Sequence, residues 1–148
     1  MGICNGFQVL CEAGLLPGAL IQNTSHRFMC MNVHIKAENA DTTITRKLIP
    51  GAALKIPIAH GEGRFYHHAD ELKRLEDNQQ VVFRYCDAQG NLTETANPNG
   101  SLNHIAGVRN KAGNVFGMMP HPERASNPVL GNTDGLALFE SIMAMQTA

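Results

Sequence analysis

A chain of 148 residues with 43% hydrophobic side chains fits a single domain with a core of ordinary size. Its formal charge of −1, with acids and bases dispersed along the chain, provides neither the basic stripe expected of a nucleic-acid binder nor an acidic tail. No apolar run approaches the roughly 20 residues needed to cross a bilayer, so no membrane-spanning helix is expected.

The start MGICNGFQ has neither the basic flank nor the apolar stretch of a secretory signal. Cys4, Cys11, Cys30 and Cys86 form no CxxC pair and no dense disulfide pattern, so free thiols in the cytoplasm are expected.

The first element is a helix over Asn5 to Ala13, ended by Gly14 in a left-handed conformation and separated from the rest of the chain by Pro17-Gly18. From Phe28 to Lys36, Met29, Met31, Val33 and Ile35 alternate with Cys30, Asn32 and His34, the period of a half-buried strand. Ala53 to Ala59 and Val81 to Cys86 also read as strands, with a short helix over Ala69 to Glu76 between them. Two turn signals come next, Asp87-Ala88-Gln89-Gly90-Asn91 and Lys111-Ala112-Gly113-Asn114; each is flanked by strand-like residues and predicts a hairpin. At the end, Asn132, Thr133 and Asp134 offer capping side chains before a helix whose apolar face is Leu136, Phe139 and Met143, with Leu138 and Ile142. The pattern is one α/β unit built on a mixed sheet.

Two segments carry chemistry. Gly2-Ile3-Cys4-Asn5-Gly6 has the spacing of a nucleophile elbow, a strained strand-to-helix turn that exposes its central side chain. Glycines on both sides are expected to make room where strand and helix meet, and the helix N-terminus favours a thiolate at Cys4. The alternative is a buried structural cysteine among small residues. Met119-Pro120-His121-Pro122-Glu123 supplies a histidine to take a thiol proton and a carboxylate to orient the ring, since residues two apart in an extended segment project to one side. Read alone, it is equally a rigid surface turn with a solvated His and Glu. His67-His68 beside Asp70 lacks the spacing of a metal site.

GICNGFQVL followed far downstream by GMMPHPE resembles the class I, triad-type glutamine amidotransferases. Ile58-Ala59-His60-Gly61-Glu62-Gly63-Arg64, Asn97-Pro98-Asn99-Gly100-Ser101 and Asn103-His104-Ile105-Ala106-Gly107-Val108 narrow the resemblance to the glutaminases of phosphoribosylformylglycinamidine synthase. The resemblance implies a class I amidotransferase (flavodoxin-like) α/β fold. Cys4 matches the nucleophile, His121 the general base and acid, Glu123 the orienting carboxylate, and the backbone N–H of Asn5 an oxyanion donor. Gln8 is placed near the bound glutamine, and His60, Gly61 and Glu62 beside it; their plainer readings are a helix-surface amide and a strand-to-loop turn.

The implied reaction supplies ammonia from glutamine, through a cysteine thioester, to a synthetase that converts formylglycinamide ribonucleotide to formylglycinamidine ribonucleotide. No Walker-type loop occurs here, so no cofactor is expected in this chain; ATP and magnesium are expected on the synthetase subunit or domain, which works with or without a small accessory subunit. In the family a long N-terminal portion with several strands and a second oxyanion donor precedes the elbow. Residues 1–148 are therefore expected to be the C-terminal part of an amidotransferase domain, lacking its N-terminal strands and weakly active alone. Competing expectations are an inactive fragment that only binds the synthetase, and another cysteine hydrolase of the same fold.

Overall fold

A computed structural model describes residues 1–144, so the last four residues of the expected 1–148 unit lie outside the described residues. Its strands are β1 (Gly2–Ile3), β2 (Ala19–Ile21), β3 (Met29–Ala37), β4 (Ala53–His60), β5 (Arg64–Tyr66), β6 (Val81–Cys86), β7 (Ile105–Arg109) and β8 (Phe116–Met118). The helices are α1 (Asn5–Glu12), α2 (Ala69–Asp77) and α3 (Leu136–Met143). Six strands form one sheet in the order β1-β8-β7-β6-β3-β4, and β2 and β5 pair separately. Only β1 with β8 is parallel; the sheet is mixed, as expected.

Apolar groups cover both faces of the sheet. Neighbours along β7 and at the end of β8 diverge: Ala106 and Met118 enter a cluster with Val33, Ile35, Ile56, Ile58 and Phe83, while Ile105 and Met119 join Phe7, Phe65, Leu75 and Val108. Phe7 brings α1 onto the second cluster, stacked on Phe65, and Leu138 brings α3 onto the first. Every residue of β6 is buried, consistent with a strand in the middle of a covered sheet. Its one charge, Arg84, is compensated by Glu38 at 3.2 Å, Glu76 at 2.6 Å and the carbonyl of Asn103 at 2.6 Å.

Four sequence expectations need correction. Met31 is 48% exposed, because β6 pairs only with the second half of β3, His34 to Ala37, and leaves the first half covered on one edge alone. The turn at Asp87 makes no hairpin. The Asp87 carboxylate accepts the N–H groups of Gln89 and Asn91, and the chain then leaves the sheet, so β6 finds its second partner in β7. The turn at Lys111–Asn114 does join an antiparallel pair, β7 and β8.

The α3 helix buries Leu138 and Ser141 and leaves Leu136 39% and Met143 66% exposed, so its inward face is rotated from the expected one. The Ser141 hydroxyl accepts the Lys47 N–H and donates to the Ala137 carbonyl, which lets a polar residue sit inside. Finally, Gly135 is the N-cap of α3, with no side-chain cap. Asn132 and Asp134 instead turn to the edge strand β4: Asp134 accepts the Lys55 N–H at 2.8 Å and Asn132 donates to the Lys55 carbonyl. These bonds satisfy backbone groups that an edge strand leaves open.

Candidate active site

The outward edge of β4 organises the site. Beyond Lys55, Pro57 has no N–H to leave unpaired, and its carbonyl accepts the His121 N–H at 2.8 Å. Ala59 comes two residues later, and the Cys4 thiol donates to its carbonyl at 3.7 Å. One strand edge thus anchors both His121 and Cys4.

The parallel register of β1 and β8 brings these two residues to the same side of the sheet, where the Cys4 thiol bonds the Ala59 carbonyl and not the His121 ring. Gly2 lies opposite Gly117 and Ile3 opposite Met118, so both strands end at the same side of the sheet. The Cys4 N–H donates to Met118 O at 2.8 Å, and three residues beyond Met118 the other chain segment reaches His121.

Cys4 has φ 51° and ψ −109°, a left-handed-side conformation costly for a side chain with a Cβ, directly before α1. That is the expected elbow. Its glycines are not equivalent, however. A Cβ on Gly2 would lie 2.5 Å from the Gly6 carbonyl oxygen and 2.6 Å from Leu10, whereas one on Gly6 would meet nothing within 4 Å. Only Gly2 is required for close approach.

The Nδ1 atom of His121 lies 2.6 Å from a Glu123 carboxylate oxygen, and the ring is buried. A carboxylate accepts only, so Nδ1 donates to it, and the buried Nε2 has no hydrogen-bond partner among the described residues. The arrangement can accept a proton and stabilise the resulting imidazolium.

Burial pushes the Cys4 thiol above its ordinary range; the Asn5 N–H, then Arg124, oppose this and Glu123 adds to it. The helix start therefore acts in the expected direction, but desolvation outweighs it. Cys4 rests as a thiol that needs a base.

Cys4, Gln8, His60, Gly61 and Glu62 line one cleft together with Phe28 and Ala59. Gln8 Nε2 donates to the Glu62 carbonyl at 2.7 Å, tying α1 to the turn after β4. His60 is only 3% exposed, and burial, then His121, push its pKa down to about 4. His60 is therefore neutral near pH 7.

Sequence reading missed the groups behind this turn. Asn23 is fully buried and binds His60, Gly61 and Gly63. Asn99 donates to the Gly63 carbonyl and accepts from Ser101. The Asn97-to-Ser101 motif signalled the second support; nothing in the Gln22-Asn23-Thr24 stretch marked the first.

A sequence profile of the CobB/CobQ-like glutamine amidotransferase domain matches residues 1–139. The chain belongs to that amidotransferase family. Among its relatives, the Aquifex aeolicus phosphoribosylformylglycinamidine synthase subunit PurQ is 57% identical over 97% of this chain and 63% of its own length. The PurQ of Gloeobacter violaceus is 55% identical over 100% of this chain and 64% of its own. The solved structure of PurLQS from Thermotoga maritima aligns with a TM-score of 0.83 and 45% identity, covering 99% of this amidotransferase chain and 61% of that chain. The fold is that of the glutamine amidotransferases, and the chain spans less than two thirds of the length of these relatives.

Proposed function

We propose that this amidotransferase chain is the glutaminase part of a phosphoribosylformylglycinamidine synthase, hydrolysing glutamine and passing ammonia to the synthetase that forms formylglycinamidine ribonucleotide in purine biosynthesis. The observation that carries the reading is the His121–Glu123 pair, joined at 2.6 Å and fixed to the same strand edge as the Cys4 elbow. The relatives named PurQ, and a structural neighbour named PurLQS, support the synthetase as partner.

In the proposed chemistry, His121 Nε2 takes the Cys4 proton as Sγ attacks the carboxamide carbon of glutamine. The Asn5 N–H holds the oxyanion, and Glu123 stabilises the imidazolium. His121 returns the proton to the departing nitrogen, releasing ammonia and leaving a γ-glutamyl thioester on Cys4. Water, deprotonated by His121, then releases glutamate. Gln8, His60, Gly61 and Glu62 form the substrate cleft. ATP and magnesium belong to the synthetase, this chain has no cofactor of its own, and the complex works in the cytoplasm.

The test is glutamine-dependent ammonia release by wild type and Cys4→Ala, each assayed with and without a PurL-type synthetase. Release that is lost with Cys4 supports the reading. Tight binding to the synthetase with no release and no thiol reactivity would instead assign the chain a binding role.

A further inference from the structure

Cys4 has two imidazoles in its surroundings, and the proton must reach the right one. His60 faces Asn23 through Nδ1, at 3.1 Å from Asn23 Oδ1. The orientation of that amide is settled by its other bonds. Nδ2 donates to the carbonyls of Arg27 at 3.0 Å and His60 at 2.9 Å, and Oδ1 accepts the Gly63 N–H at 3.1 Å. A flipped amide would set donors against the Gly63 N–H and an acceptor against two carbonyls. Oδ1 therefore accepts from His60, so the proton is on Nδ1 and the lone pair on Nε2. Among the described residues that buried Nε2 has no hydrogen-bond partner, and neither has Nε2 of His121.

We infer that Asn23 is a positioning residue of the amidotransferase site: by fixing His60 as its Nδ1–H tautomer and offering no negative charge, it keeps His60 neutral and directs the Cys4 proton to the His121–Glu123 pair. The inference rests on the glutaminase reading for its kinetic consequence, though not for the tautomer. Asn23 contrasts with Glu123 in one respect. Both hold an imidazole Nδ1–H, but only the carboxylate stabilises a cation. Among the described residues, the ionisable groups around His60 are His121 from the segment after β8, Cys4 at the elbow and Glu62 in the same turn; the Tyr85 hydroxyl from β6 bonds Asn99, which in turn bonds the Gly63 carbonyl. Gly63 closes the other side, where a Cβ would run into the His60 ring. A cationic His60 would oppose the imidazolium that His121 must form.

The experiment is 15N NMR of the histidine ring nitrogens combined with pH profiles of glutamine turnover for wild type, Asn23→Asp and Asn23→Asp/His60→Gln. In wild type, His60 should show a protonated Nδ1 and a bare Nε2 from pH 8 to about pH 5. Asn23→Asp should make His60 cationic within that range and add an acid limb that lowers kcat about tenfold between pH 8 and pH 6, within the reach of general-base effects. His60→Gln in the same background should remove the added limb, which a merely structural defect would not do. An Nε2–H tautomer in wild type overturns the inference even if Asn23→Asp fails to fold. So does an Asn23→Asp profile that superimposes on wild type while His60 is cationic. If no form releases ammonia even with a PurL-type synthetase present but the tautomer is as expected, the glutaminase reading fails and the lock stands.

Discussion

The Cys4 thiol and the Ala59 carbonyl oxygen lie 3.7 Å apart, although β1 and β4 occupy opposite ends of the strand order. The sheet must curl for this contact to form, and the segment from Met118 to His121 bridges the gap by bonding Pro57. The contact also requires a proton on sulfur. Burial, which favours the neutral thiol, works in the same sense.

Alkylation of Cys4 by a small neutral reagent should therefore still be rising with pH above 9.0, the ordinary thiol value from which burial displaces it. At neutral pH the thiol form dominates, and the thiolate fraction grows only as pH climbs. Rates measured peptide by peptide from pH 6 to 10 check this. A plateau below neutrality would mean a resting thiolate–imidazolium pair.

His121→Ala should nearly abolish glutamine hydrolysis, because the neighbouring imidazole, His60, is made a weak base by burial and has an amide oxygen, not a carboxylate, at its Nδ1. Glu123→Ala should do less, losing on the order of 10²-fold or more, since the carboxylate orients the ring without exchanging the proton. Steady-state kcat for both variants decides the order. Equal activity of His121→Ala and wild type would exclude the triad.

Gly2→Ala and Gly6→Ala should separate sharply. The added methyl at position 2 meets the Gly6 carbonyl oxygen and Leu10 and must force β1 and α1 apart; at position 6 it enters open space. Thermal melts should place Gly2→Ala well below wild type and Gly6→Ala near or slightly above it, as for a helical glycine replaced by alanine. Equal destabilisation would contradict the elbow's packing.

Much of this was legible from residue order. Cys4 within its small-residue frame, His121 and Glu123 two apart, and the Lys111–Asn114 turn all express local rules, and local rules survive folding. The misplaced features depended on distant partners. Met31 is exposed because β6 stops opposite His34, and α3 is rotated because the Lys47 N–H needs the Ser141 hydroxyl. Gly6 looked as constrained as Gly2 because a motif records spacing without saying which glycine is crowded. Asn23 was invisible for a similar reason: its four side-chain bonds reach Arg27, His60 and Gly63, of which only Arg27 is nearby in sequence.

Acid should weaken the fold through His60. Its folded pKa of about 4 lies below the ordinary 6.5, so the unfolded chain takes up a proton that the folded chain refuses. The corresponding stability is complete above 6.5 and is lost as pH falls from 6.5 towards 4. Urea midpoints at several pH values, for wild type and His60→Gln, should show the variant's slope reduced by about one proton in that window. Identical slopes would mean that His60 is free to ionise in the folded chain.

The claim that Cys4 is the nucleophile is tested most directly by treating the folded chain with a glutamine-analogue electrophile and mapping the modified peptide. The four thiols offer a clear choice. Cys30 is exposed and would be taken first by a reagent guided by access alone, while burial pushes Cys11 up to about 12 and Cys86 up to about 11. Only Cys4 shares the cleft with Gln8 and the His60-Gly61-Glu62 turn. Modification is expected at Cys4, suppressed by excess glutamine and slowed in His121→Ala. Preferential modification of Cys11, Cys30 or Cys86, with Cys4 untouched, would contradict the assignment.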